Sequence, residues 1–459
     1  MKHRGRLSEV LRRAETGPII DEKDFEGRLI TSTVKRLIKK YDIQYDPETL
    51  VPSDDELADR LYQAGLEFAV DVGMFCQDTN RRVTWSHQEY EDGLRSCPSE
   101  AVMGEGNDTV TVRARVPEDI TPVVVSGGAV GVLVPDELFL PLMLSYAQEP
   151  VIDLLEPASI QSVDGMPIKA HSPWEILGGW KEAELVKQVV NQAGRPGMCT
   201  ACVTISATAI GQISPASYGA FRPSDWHHCS VVSEFKTNYD LLSKVAHTTR
   251  IGGNMESYLN VIYGGFFGGP EGMAIGLTAG PIILNQNYMG TTLSVSSAHP
   301  FLHCGSTSAQ IWAQSLAFQA LAKNTDLLIA SMNKPASGPG TKSILYENSA
   351  LTIANVVSGL SVVESSMSAG GVNEKHASGL DSKICGEVAQ AAAGMDREQA
   401  NEIVKKLAGL YEPILKEKPI GKPFDEVYDV ERIRPTPEWQ GMYDEVKNEL
   451  VQMDLALNT

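Results

Sequence analysis

From about residue 122 onward, short apolar runs alternate with longer stretches of helical periodicity. PVVVSGGAVGVLV (122–134) is β-branched, carries glycines and ends at Pro135. Strand-like runs follow at 198–205 (MCTACVTI), 229–235 (CSVVSEF), 258–265 (YLNVIYGG), 291–297 (TTLSVSS), 326–331 (DLLIAS) and 359–366 (GLSVVESS). Helical patterns lie at 173–193, 237–248, 271–280, 307–323, 342–356 and 378–393. About seven strand-then-helix units in series, with strands of buried type, predict a parallel sheet with helices outside. No glycine-rich phosphate fingerprint follows the first strand and the unit count is close to eight. The predicted fold is therefore an α/β, (β/α)8 TIM barrel rather than a doubly wound sheet.

The flanks read differently. Residues 31–41 and 55–70 carry apolar positions at helical spacing, and Asp54 is placed to cap the second segment, with acids in its first turn. TVTVRARV (109–116) alternates as an exposed strand does, and 396–416 and 437–454 are again helical. The predicted organisation is an N-terminal helical extension over 1–100, a barrel over 101–435 and a C-terminal helix over 436–459 packed on the barrel.

Composition narrows the function classes. With 42% hydrophobic and 21% charged residues, the 459-residue chain is globular in character. Its net charge of −19, from 39 Lys and Arg against 58 Asp and Glu, repels nucleic acid and anionic membranes. No apolar run of about 18 residues suggests a membrane span or signal peptide. The seven cysteines are odd in number and sparse, which is not a secreted disulfide framework. The expectation is a cytoplasmic protein.

In a parallel barrel, chemistry sits where strands give way to loops. Cys199 and Cys202 form a CxxC, but positions i and i+3 of a strand face opposite sides, so ordinary packing is the first reading. Cys202, His228 and His303 lie at three such ends and form a second candidate, a thiol-binding zinc site. Phe266 and Phe267, flanked by paired glycines, offer rings that would box a cationic methyl group. Asn333 and Lys334 follow the strand DLLIAS, where a lysine facing the mouth would bind a carboxylate.

Several segments carry a resemblance along nearly the whole chain. They include AGLEF and GMFCQDTNR within 64–81, VMGEGNDTVTVRAR (102–115), LSYA (144–147) and AGRPGM (193–198). Others are GNM to YGGF (253–266), CGSTS (304–308), SGPGT (337–341) and GKPFDEVYDVERIRPT (421–436). With these the chain resembles the monomethylamine methyltransferases of methylotrophic archaea. The resemblance implies a (β/α)8 barrel, a homo-oligomer (a hexamer), no tightly bound cofactor, and a separate corrinoid protein whose cobalamin-type cofactor accepts the methyl group.

The departures matter as much. The family's pyrrolysine follows GRPGM by a few residues, and the same count here reaches Ala201. Two acidic pocket positions fall on His228 and Tyr258, and the Gln and Tyr ahead of SGPGT fall on Met332 and Lys334, while Glu234 is retained. The resemblance thus implies a corrinoid-dependent methyltransferase without pyrrolysine, whose substrate carries its own activation. A quaternary amine is favoured, above all a betaine with its carboxylate on Lys334 or His228 and its cationic head against Tyr258, Phe266 or Phe267. The alternatives are a zinc-dependent methyltransferase using Cys202, His228 and His303, and a non-catalytic ligand-binding barrel.

Overall fold

The computed structural model of the chain describes residues 2–202 and 208–457. Eight parallel strands close into a barrel: β1 Val124–Gly128, β2 Leu154–Glu156, β3 Cys199–Cys202, β4 Trp226–His228, β5 Asn254–Ile262, β6 Thr292–Ala298, β7 Ile329–Asn333 and β8 Val362–Ser366. They neighbour one another in chain order, and β8 pairs back onto β1 through Val362 with Val124 and Val363 with Val125. Helices fill the crossovers, as right-handed parallel connections require.

Two strands correct the sequence reading. β2 was not anticipated: Leu154-Leu155-Glu156 is fully buried but only three residues long, too short to show a period. The run at 229–235 is not a barrel strand. β4 ends at His228, and the chain then turns over the barrel mouth, with Val232 bridging to Lys236. Of the run at 198–205, residues 199–202 are β3, and those from 203 lie outside the described residues.

The N-terminal end of the barrel is plugged. Glu100–Met103 and Val110–Arg113 form an antiparallel hairpin, whose Ala101, Met103 and Val112 bury against Val124, Leu154, Cys199, Ala201, Trp226, Leu328, Ala330 and Val362. Alternation at 109–116 therefore marks a strand with one face under the barrel. Arg115, just beyond the hairpin, is 2% exposed. It donates to the carbonyls of Thr121, Val356, Leu360 and Asp119 and ties the entry to β1 to the turn before β8.

The N-terminal helices form a second layer. Asp55–Val72, capped by Asp54 as expected, packs across Pro270–Asn287. The crossing is so close that a Cβ on Gly65 would lie 2.6 Å from Thr278 Cγ2. Covered by the barrel on one side and this layer on the other, Pro270–Asn287 is buried along nearly its whole length and shows almost no amphipathic stripe. Among the described residues no helix is long and apolar enough to cross a membrane.

Candidate active site

Above the apolar bottom layer the barrel interior turns polar within one turn of the pleat. Ser126, Glu156, His228, Glu256, Ser294 and Glu364 are all buried there. Glu156 accepts from Ser126 Oγ, from Ser365 Oγ at 3.2 Å and from the Ser365 amide at 3.3 Å. His228 Nδ1 lies 3.4 Å from Glu256 Oε2, and the His228 ring stands edge-on to Trp226. Glu256 and Glu364 adjoin one another and Ser294. Glu156 Oε2, Glu256 Oε2, both Glu364 oxygens and His228 Nε2 have no protein hydrogen-bond partner among the described residues.

One layer higher, Lys334 Nζ donates to Tyr258 Oη at 2.6 Å and to Asn260 Oδ1. Tyr258 Oη also lies 2.7 Å from Asn260 Oδ1 and 2.9 Å from Ser296 Oγ. A cavity of about 390 Å³ opens above these groups, bordered by His228, Glu256, Tyr258, Asn260 and Met332 from the strands. Val130, Gly131, Ser230, Val231, Val232 and Met367 from the loops, with Leu241 and Lys244 from the helix Tyr239–Ile251, complete its wall.

Burial sets the charges. It raises Glu156 and lifts Glu256 well above the usual carboxylate range, with the neighbouring Glu364 carboxyl adding to the effect on Glu256. Glu364 is raised to about 8, by burial first and by Glu156 second. Burial lowers Lys334 to about 7 and His228 to about 3. At neutral pH the imidazole is thus neutral, and at least one proton stays on the Glu256–Glu364 pair.

A pH dependence of stability follows. In the unfolded chain Glu364 ionises near 4.5, whereas in the fold it keeps its proton to about 8. Its contribution is fully present below about 4.5 and is lost as pH rises through about 8. Lys334, lowered from 10.5, acts with the opposite sign above about 7. Between about pH 6 and pH 8.5 the urea unfolding free energy is therefore expected to shift in favour of the fold in Glu364→Gln relative to the unsubstituted chain, by on the order of 2 kcal/mol.

Of the residues singled out in the sequence, His228, Tyr258 and Met332 line the cavity, and Lys334 lies just behind Tyr258 and Asn260. Five do not belong to it. Asn333 points outward, donating to Thr352 Oγ1 at 2.8 Å, because adjacent strand positions face opposite sides. Phe267 packs against Phe68 and Phe235, with ring centroids 5.2 and 5.5 Å apart, in the core beneath the N-terminal helices. Phe266 is exposed on the loop after β5 and faces no cation seat. Glu234 is buried, accepts from the Ile262 amide at 2.7 Å and supports that loop; burial raises it to about 7. Ala201 is buried in the apolar bottom layer and does not border the cavity. Glu156, Glu256 and Glu364, none of them singled out in the sequence, supply three interior carboxyls.

The zinc ligands do not converge. Cys202 faces outward with Ala183, Ala216 and Phe221, its Sγ 3.1 Å from His227 Nδ1. Cys199 faces inward, as the i, i+3 spacing requires. His228 points into the barrel, and His303 sits exposed in the loop after β6. Among the described residues no group of three or more His, Cys, Asp or Glu is placed to hold a metal ion. Cys202→Ala is accordingly expected to cost about 1 kcal/mol of stability in a thermal melt and to leave enzymatic turnover unchanged.

The mouth is rimmed by exposed apolar residues on six of its eight loop segments: Leu133, Met166, Ile210, Phe266, Phe301 and Val372.

Comparison with known proteins gives a consistent result. A family profile described as monomethylamine methyltransferase MtmB matches residues 6–455. The monomethylamine methyltransferase MtmB2 of Methanosarcina acetivorans is 32% identical over 446 residues, 97% of each chain. The Methanosarcina mazei MtmB is 32% identical over 453 residues, with the same coverage. A crystal structure of the Methanosarcina barkeri monomethylamine methyltransferase superposes with a TM-score of 0.95 at 30% identity, over 99% of this chain and 98% of that one.

Proposed function

Because the chain belongs to the monomethylamine methyltransferase family, we propose that it is a corrinoid-dependent methyltransferase that works without pyrrolysine on a quaternary amine. The observation that carries this reading is the cavity above β4 and β5. It presents the buried carboxyl of Glu256 and the ring of Tyr258 to whatever enters. A carboxyl and an aromatic face suit a permanently charged methylammonium group. Such a group needs no adduct to activate it, because a neutral amine leaves when the methyl departs. Ala201 stands where the count from GRPGM places pyrrolysine and offers no electrophile to capture an uncharged amine.

A corrinoid in its Co(I) state, presented by a partner protein, supplies the nucleophile that accepts the methyl group. The apolar rim of Leu133, Met166, Ile210, Phe301 and Val372 suits the docking of such a partner over the open mouth. The chain's own groups bind and orient. Glu256 faces the cationic head, Tyr258 packs against its methyl groups, and Lys334 holds Tyr258 and Asn260 in place. A betaine is a weaker match than a simple quaternary ammonium. Its carboxylate reaches Lys334 only if the Tyr258–Asn260 clamp opens, and it would lie close to Glu256. The assembly follows the family as a homo-oligomer, a hexamer.

The test is direct. Purified protein with cob(I)alamin and one methylated compound at a time is followed by absorbance for methylated corrinoid. Tetramethylammonium is expected to react fastest, glycine betaine more slowly, and monomethylamine not above background. Activity with none of a broad set of methylated compounds would point to the non-catalytic barrel instead.

A further inference from the structure

Three interior carboxyls lie close together beneath the cavity, with the amines of Lys334 and Lys244 nearby. Glu256 Oε2 is buried, borders the cavity and has no donor. Glu364, directly behind it, has none on either oxygen. Six further groups face the pair. From the end of β4 comes neutral His228, 3.4 Å from Glu256, and one residue beyond it Cys229. Glu156 of β2 opposes ionisation, and Lys334, just beyond β7, favours it. Tyr258 lies above on β5, and Lys244 on the helix Tyr239–Ile251 borders the same cavity. With the chain alone, two adjoining carboxyls in a dry interior are held together by a proton. An alkylammonium ion seated against Glu256 does the same electrostatic work from the cavity side.

We propose that the cavity is a seat for a permanently charged methylammonium group, and that seating this cation expels the proton shared by Glu256 and Glu364. This rests on the reading of the site as one for quaternary amines and adds its coupling to pH. One carboxyl O–H bond breaks, its proton passes to solvent water and buffer, and the cation takes its place; no carbon bond changes. At low pH the proton competes with the ligand. Each pH unit between about 6 and 7.5 therefore tightens binding by up to about tenfold, the limit set by release of one proton.

The experiment is calorimetric titration of the full chain with choline near neutral pH, in phosphate and in Tris, whose ionisation heats differ. The expected result is about one proton released per choline bound, with Kd falling about tenfold from about pH 6 to pH 7. The uncharged isostere 3,3-dimethylbutan-1-ol should bind at least about tenfold more weakly. Glu256→Gln and Glu364→Gln, each checked for fold by circular dichroism, should abolish proton release. Equal heats in both buffers with a flat Kd, or an isostere that binds as tightly as choline, would overturn the proposal. Binding with proton release but without methyl transfer leaves the inference standing and removes the proposed reaction. Methyl transfer from a quaternary amine without proton release does the reverse.

Discussion

Glu256→Gln is expected to lower kcat/KM for methyl transfer from a quaternary amine by about a hundredfold, equivalent to about 2.7 kcal/mol. The carboxyl borders the cavity, lies next to Glu364 and His228, and is the acid nearest the space a ligand would fill. An amide keeps its shape and removes its charge. Most of the loss should appear in KM, because the positive charge that Glu256 holds is full in the ground state and declines as the methyl leaves. Folding stability at about pH 8 should be unchanged or higher by about 1 kcal/mol, since a buried carboxyl without a donor is costly to the fold. Steady-state rates and denaturant unfolding on one preparation separate the two effects. A variant that keeps kcat/KM within about threefold would remove Glu256 from substrate binding.

Arg115→Met is expected to be the most destabilising single change at the far end of the barrel. The guanidinium makes four hydrogen bonds to main-chain carbonyls and none to a carboxylate. Its removal leaves those carbonyls in a region that water reaches poorly. At about 1 kcal/mol for each lost bond, the cost is on the order of 4 kcal/mol. Urea unfolding reads it out. The site lies at the opposite end of the barrel, so at temperatures where the variant stays folded the KM for substrate should not move. A shift in KM comparable to the loss of stability would mean that the two ends of the barrel are coupled.

The barrel was legible because six of its strands are long enough to show as apolar runs between helical periods. β2 escaped because Leu154-Leu155-Glu156 is too short for any period, and 229–235 misled because its β-branched residues line the cavity from a loop instead of continuing β4. The pocket was legible only in part. His228, Tyr258 and Lys334 were found by position, from the resemblance and from where each strand was expected to end. The carboxyls were missed although a signal exists: LLE, NMESY and VVESS each embed one acid in an otherwise apolar or small-residue strand of a parallel barrel. An acid there has no solvent to face and must point at a cavity, at a partner or at another acid. Asn333 and Phe267 were misplaced because a strand end fixes which residues are near the mouth but not which face each side chain takes. That parity is set by the closed sheet.

The central claim is that this barrel takes methyl groups from a charged quaternary amine and not from monomethylamine. The measurement that tests it most directly is a competition in one tube. Trideuteromethyl-labelled tetramethylammonium and unlabelled monomethylamine are supplied in equal amounts with cob(I)alamin, and the methylated corrinoid is weighed by mass spectrometry. The account predicts product carrying the deuterated methyl almost exclusively. Product carrying mostly the unlabelled methyl would contradict it and return the chain to the substrate of its relatives.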